Sequence, residues 1–101
     1  MWIAVAKTDE IAPGKCKIFT RRSREYAIFN VAGEYYCIDN LCPHAGGSLG
    51  EGIIEGDCVT CTWHYWQFDI KTGEMCGNHN VRVNRFAVRD HEGEIQVEIE
   101  V

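Results

Sequence analysis

Near the end of the chain Ile95, Val97, Ile99 and Val101 alternate with Gln96, Glu98 and Glu100, the period of two expected of a strand with one face on a core and one in water. Shorter β-branched and aromatic runs predict further strands at residues 2–6, 16–20, 26–31, 35–39, 58–60, 66–70, 81–83 and 86–89. Turn signals separate them. Thr8-Asp9-Glu10-Ile11 reads as a single capped turn before Pro13-Gly14, Ala32-Gly33-Glu34 joins two strands, Lys71-Thr72-Gly73 is a turn, and Asp90-His91-Glu92-Gly93 makes the last hairpin. Between Leu41 and Ile53 the texture changes to a loop: Gly46, Gly47, Gly50 and Gly52, with Gly56 just beyond, surround one proline and one histidine. Glycines in that density mark backbone held in special geometry, where sites tend to sit. No amphipathic helix of useful length is present, so neither a partner helix nor a membrane-surface helix is expected. With no repeat, low-complexity stretch or linker, the pattern predicts one all-β domain of antiparallel strands over residues 1–101.

Size narrows the function. A chain of 101 residues and 11.5 kDa is one domain's worth, without room for separate catalytic and cofactor domains. Its 46% hydrophobic and 25% charged residues are globular values. Ten Lys and Arg against fifteen Asp and Glu give a net charge of −5, which argues against duplex nucleic acid and for protein partners with basic docking faces. No run approaches the 18 or so apolar residues of a membrane span, and the first ten residues have neither a basic region nor a long apolar stretch. The expectation is a soluble, cytoplasmic protein with no membrane association. In a reducing compartment six cysteines point to metal ligation ahead of disulfides.

Two short motifs supply the chemistry. Cys42-Pro43-His44 and Cys61-Thr62-Trp63-His64, sixteen residues apart, each bring one sulfur and one imidazole from in or beside a loop. A lone Cys-x-His is commonplace, but two in one small cysteine-rich chain make a Cys2His2 donor set. Such donors suit a borderline or soft transition metal and not calcium or magnesium. Spacing leaves two options open, a single tetrahedral zinc in a structural module or a [2Fe-2S] cluster with two thiolates on one iron and two imidazoles on the other. The interleaving of Cys and His in each motif, unlike the paired order of zinc fingers, suits a cluster gripped by two loops.

The run Leu41-Cys42-Pro43-His44-Ala45-Gly46-Gly47-Ser48-Leu49-Gly50-Glu51-Gly52, then Cys61-Thr62-Trp63-His64 and Phe68-Asp69-Ile70-Lys71-Thr72-Gly73-Glu74, resembles Rieske-type [2Fe-2S] ferredoxins along nearly the whole chain. The resemblance implies an antiparallel β-sandwich or barrel with an inserted cluster-binding subdomain at about residues 41–73. It implies one [2Fe-2S] cluster, with Cys42 and Cys61 on the inner iron and His44 and His64 on the outer. It also implies a soluble one-electron carrier, not an enzyme, that passes electrons from a reductase to a terminal oxygenase or reductase partner. A related branch, the small subunits of assimilatory nitrite reductases, is the alternative, and a structural zinc module is the second. The chain departs from the family pattern at three places: Tyr65 stands where Gly is usual, Thr62 where Pro is usual, and Cys76-Gly77-Asn78-His79-Asn80 replaces a Pro-containing third loop. High-potential relatives carry a disulfide between the cluster loops and two hydroxyl donors to the cluster sulfurs. The corresponding residues here are Gly47 and Trp63, then Trp66 and Phe68.

The remaining candidates read as structural. Cys16, Cys37, Cys58 and Cys76 are expected as small apolar residues in strands or turns, His79 and His91 as solvated turn residues, and Arg21-Arg22-Ser23-Arg24 as an exposed hairpin turn. No nucleophile arrangement remains once the Cys and His pairs are assigned, and no phosphate-binding glycine loop occurs.

Overall fold

The run from Tyr26 to Val31 is apolar at most positions because its strand is covered on both faces. In the computed structural model, which describes residues 1–42, 47–61 and 65–99, strand β3 (Arg24–Val31) lies inside a four-stranded antiparallel sheet. Its neighbours are β2 (Cys16–Arg21) and β4 (Glu34–Asp39), with β10 (Arg85–Phe86) beyond β4. Ala27 and Phe29 point into one core and Tyr26 and Ile28 into another. All four are almost wholly buried, so strict polar alternation is absent where a strand forms the wall between two cores.

One core is closed by a three-stranded sheet of β1 (Trp2–Lys7), β12 (Glu94–Glu98) and β11 (Val88–His91), with β12 in the middle. Here the alternation read from the sequence holds: Ile95, Val97 and Ile99 are buried and pack with Val5, Ile11 and Cys37. Val101 lies outside the described residues. The other core is closed by a five-stranded antiparallel sheet in chain order: β5 (Ile53–Glu55), β6 (Cys58–Thr60), β7 (Gln67–Asp69), β8 (Glu74–Met75) and β9 (Asn78–Arg82).

The two-residue turns at Arg22-Ser23, Ala32-Gly33 and Glu92-Gly93 all have positive φ at both positions, the hand that matches strand twist in tight hairpins. Arg22-Ser23 is exposed, as expected of that turn. Thr8–Glu10 is a single 3-10 turn, closed by the Lys7 N–H donating to Glu10 Oε1 at 2.8 Å.

Several expected boundaries move. The run 86–89 divides at Ala87: Phe86 pairs with Cys37 in the four-stranded sheet, whereas Val88 pairs with Val97 in the three-stranded one. The chain changes sheets there, which an apolar run cannot reveal. The glycine-rich loop ends one residue earlier than read, because Ile53 already pairs with Thr60. The strand expected at 66–70 shortens to Gln67–Asp69. Asn78, His79 and Asn80, expected as loop, begin β9 after a turn at Cys76-Gly77. His79 is therefore a strand residue, exposed, with Nδ1 2.7 Å from Glu74 Oε2. His91 is exposed at the end of β11.

Candidate metal centre

Both motif cysteines sit at the bases of loops closed in the same way. The Cys42 N–H donates to the Gly47 carbonyl at 2.8 Å, and the Cys61 N–H donates to the Trp66 carbonyl at 2.8 Å. Each bond spans five residues and holds the cysteine backbone through main-chain atoms alone. In the second loop the Tyr65 N–H also returns to the Cys61 carbonyl at 2.8 Å.

The first loop is built outward from Asn40, which is fully buried. Its Oδ1 accepts the Gly50 N–H at 2.7 Å, its Nδ2 donates to Glu25 Oε1 at 2.8 Å and lies 3.0 Å from Ser48 Oγ, and its carbonyl accepts the Leu49 N–H at 2.7 Å. Leu41 and Ser48 form a bridge immediately outside the Cys42–Gly47 closure. Glycine is required twice here for close approach. A Cβ on Gly50 would fall 2.6 Å from Ile18 Cγ1, and one on Gly52 would run into the Thr60 carbonyl oxygen. The glycine density was legible as special geometry; the Asn40 hub was not.

The run Phe68-Asp69-Ile70-Lys71-Thr72-Gly73 has a physical basis in the turn after β7. Asp69 Oδ1 accepts the N–H groups of Lys71 at 2.8 Å and Thr72 at 3.1 Å, and Thr72 Oγ1 accepts the Glu74 N–H at 3.2 Å. Gly73, at φ +80°, presses against Val83, whose carbonyl oxygen would lie 2.5 Å from a Cβ. Phe68 and Ile70 are fully buried and share one core with Cys42 and Cys61.

Cys42 and Cys61 are 2% and 1% exposed and pack with Leu49, Val59 and Phe68 in that core. Two buried sulfurs, brought to one core by two equivalent loops, fit the thiolate end of a mixed thiolate and imidazole site. His44 and His64 lie outside the described residues, as do Thr62 and Trp63. Among the described residues no three of His, Cys, Asp and Glu converge on a metal site. Tyr65, at the position where glycine is usual, adopts φ +59°. This left-handed conformation is one that a side chain usually avoids, and the Tyr65 side chain is 75% exposed. Leu41 and Ile53 are exposed too, one beside Cys42 and the other paired with the residue before Cys61.

The other cysteines divide into two kinds. Cys37 is fully buried and its thiol is pushed up strongly by burial, while Cys16 is pushed up to about 12 for the same reason. Both behave as the small apolar residues expected. Cys58 and Cys76 instead face each other with sulfurs 2.8 Å apart, a pairing the sequence did not disclose.

The Rieske [2Fe-2S] domain profile matches residues 1–87. The ferredoxin component of the p-cumate 2,3-dioxygenase system of Pseudomonas putida is 36% identical over 76 residues, covering 73% of this chain and 64% of that protein. The ferredoxin component of the naphthalene 1,2-dioxygenase system of Pseudomonas putida is 30% identical over 89 residues, covering 87% and 86%. Among solved structures, a chain in the complex of reduced oxygenase and oxidized ferredoxin in carbazole 1,9a-dioxygenase superposes with a TM-score of 0.89 at 28% identity, covering 98% of this chain and 97% of its own length.

Proposed function

This chain belongs to the Rieske [2Fe-2S] domain family, and from that membership we propose that it is the ferredoxin of an oxygenase system, taking electrons from a reductase and delivering them to a terminal oxygenase. It is an electron carrier and not a catalyst, and its cofactor is one [2Fe-2S] cluster. The observation that carries the reading is the pair of equivalently closed loops, each with a buried cysteine at its base. On this reading Cys42 and Cys61 hold one iron, and His44 and His64 hold the other. The 101 residues form a single Rieske-type domain, with the cluster-binding subdomain at about 41–73.

When bound, such a cluster takes up and returns a single electron at a potential set by hydrogen bonds to its sulfurs and by solvent exposure. The protein's part is positional. The main-chain closures at Cys42 and Cys61 fix where the two sulfurs stand, and Leu49, Val59 and Phe68 exclude water from their inner side. Tyr65, Leu41 and Ile53 leave exposed apolar surface beside the two loops, the kind of surface from which partner proteins draw binding energy. The net charge of −5 favours partners with basic docking faces.

The test is a visible and electron paramagnetic resonance spectrum of the dithionite-reduced protein, followed by affinity capture of its partner. A red-brown protein with a mixed-ligand cluster signal that captures an oxygenase supports the reading. Capture of a large sirohaem subunit would reassign it to nitrite reduction, and a colourless protein with one zinc would refute it.

A further inference from the structure

We propose that Cys58 and Cys76 form a thiol–disulfide exchange site, a dithiol on the outer face of the five-stranded sheet that reacts with small-molecule disulfides and closes to an intramolecular disulfide. The register of β7 brings the two residues together. Cys58 opens β6 opposite Asp69. Cys76 follows β8, and its N–H donates to the Gln67 carbonyl at 2.8 Å. Gln67 and Asp69 are two residues apart on β7 and therefore share a face, so both cysteines project from that face, one from each side of the strand. The buried Phe68 occupies the opposite face, with Val59 and Met75 beside it in the core.

The two sulfurs stand 2.8 Å apart, about 0.8 Å beyond disulfide bonding distance. Both residues are half-buried, whereas Cys37, Cys42 and Cys61 are buried outright. Cys16 is half-buried as well, but burial pushes its thiol up to about 12. Cys58 and Cys76 thus combine access with a partner sulfur.

The Cys76 thiol is pushed up to about 11, by burial first and by its hydrogen bond with Cys58 second, and Cys58 is the attacking residue of the proposed exchange. The Cys58 thiolate attacks one sulfur of a small disulfide RS–SR. A Cys58–SR bond forms and RS⁻ leaves, taking up the proton that Cys58 lost. Cys76 then loses its proton to solvent and attacks the Cys58 sulfur. The Cys58–Cys76 bond forms, and the second RS⁻ leaves and is protonated. The two cysteines are oxidised by two electrons and RS–SR is reduced to two RSH. The ring so closed contains Cys61 and Trp66, the two ends of the second loop closure, and ties β6 to the turn that follows β8.

The test treats the anaerobic, cluster-loaded protein with oxidised glutathione, quenches with an alkylating reagent, and maps the peptides by mass spectrometry. The expected product is a Cys58–Cys76 cross-link, about 2 Da lighter than the dithiol, reversed by dithiothreitol, with the visible spectrum unchanged. In C76A the second step is blocked, and glutathione should remain attached to Cys58. Full alkylation of both residues in the wild type, with no adduct on Cys58 in C76A, would overturn the proposal, as would a cross-link joining any other cysteines. If C76A does not fold, the wild-type peptide map alone decides. A colourless preparation that still formed the cross-link would fail the ferredoxin reading and leave this one standing.

Discussion

Replacing Asn40 by alanine should do more damage than its distance from the two cysteine motifs in character, a plain amide with no metal chemistry, suggests. The side chain is fully buried and ties together Glu25, Ser48 and Gly50. Truncation strands the Gly50 N–H, and an unsatisfied buried donor costs about 1–3 kcal/mol. It also removes the donor to Glu25, a bond to a charged acceptor worth about 1.5–3 kcal/mol. Because the groups share one network these terms do not add fully, and about 3–5 kcal/mol is expected, a large part of the roughly 5–15 kcal/mol that holds a domain together. At about 4–8 °C per kcal/mol for a domain near this size, the melting midpoint should fall by roughly 12–40 °C. Asn40→Asp keeps an acceptor for Gly50 but sets a second carboxylate against Glu25, whose Oε1 lies 2.8 Å from the present amide nitrogen, and should be at least as harmful. Glu25→Gln preserves an acceptor and should cost under about 1 kcal/mol. Thermal melts followed by circular dichroism and by visible absorbance measure all three. An Asn40→Ala loss below about 1 kcal/mol, or an Asn40→Asp variant milder than Asn40→Ala, would refute the hub.

Three further outcomes are expected. His64→Ala and Cys42→Ser should each abolish the visible spectrum of the assembled cluster, whereas His79→Ala, a change at an exposed strand residue bonded only to Glu74 among the described residues, should leave it intact; equal loss in all three would show the ligand assignment to be wrong. The midpoint potential should lie within about 100 mV of the low end of the Rieske range, near −150 mV, because Trp66 and Phe68 carry no hydroxyl to donate to the cluster sulfurs; protein-film voltammetry giving a value above about +100 mV would contradict this. Tyr65→Gly should relieve a left-handed conformation that costs a side chain about 1–2 kcal/mol, less glycine's own entropic cost of about 0.5–1 kcal/mol, so the melting point should hold or rise slightly while electron delivery to the partner slows several-fold. A clear fall in melting point would instead make Tyr65 a packing residue.

What could be read from the sequence depended on whether a residue's role is local. The strands at 26–31 and from Ile95 onward were legible because burial acts on their own side chains, on both faces of the first and on alternate residues of the second. The two Cys and His motifs stood out because four thiolate and imidazole donors in so small a chain have few other uses; the structure describes Cys42 and Cys61, and His44 and His64 lie outside the described residues. Roles set by distant partners were hidden. Nothing in the run 86–89 shows that Phe86 faces Cys37 while Val88 faces Val97. Asn40 looks like any turn residue until Glu25, Ser48 and Gly50 are seen around it. Cys58 and Cys76 look like two small apolar residues until β7 sets them on one face.

The matching closures at Cys42–Gly47 and Cys61–Trp66 divide labour within each loop. Main-chain bonds hold the base without recruiting a side chain from between, so side chains at the tips, the two histidines apart, can change without removing a bond that holds the cysteine backbones. Tyr65, 75% exposed, is a residue of that kind. A lineage with such loops can exchange one redox partner for another by rewriting a handful of tip residues, keeping its electron chemistry while it changes company.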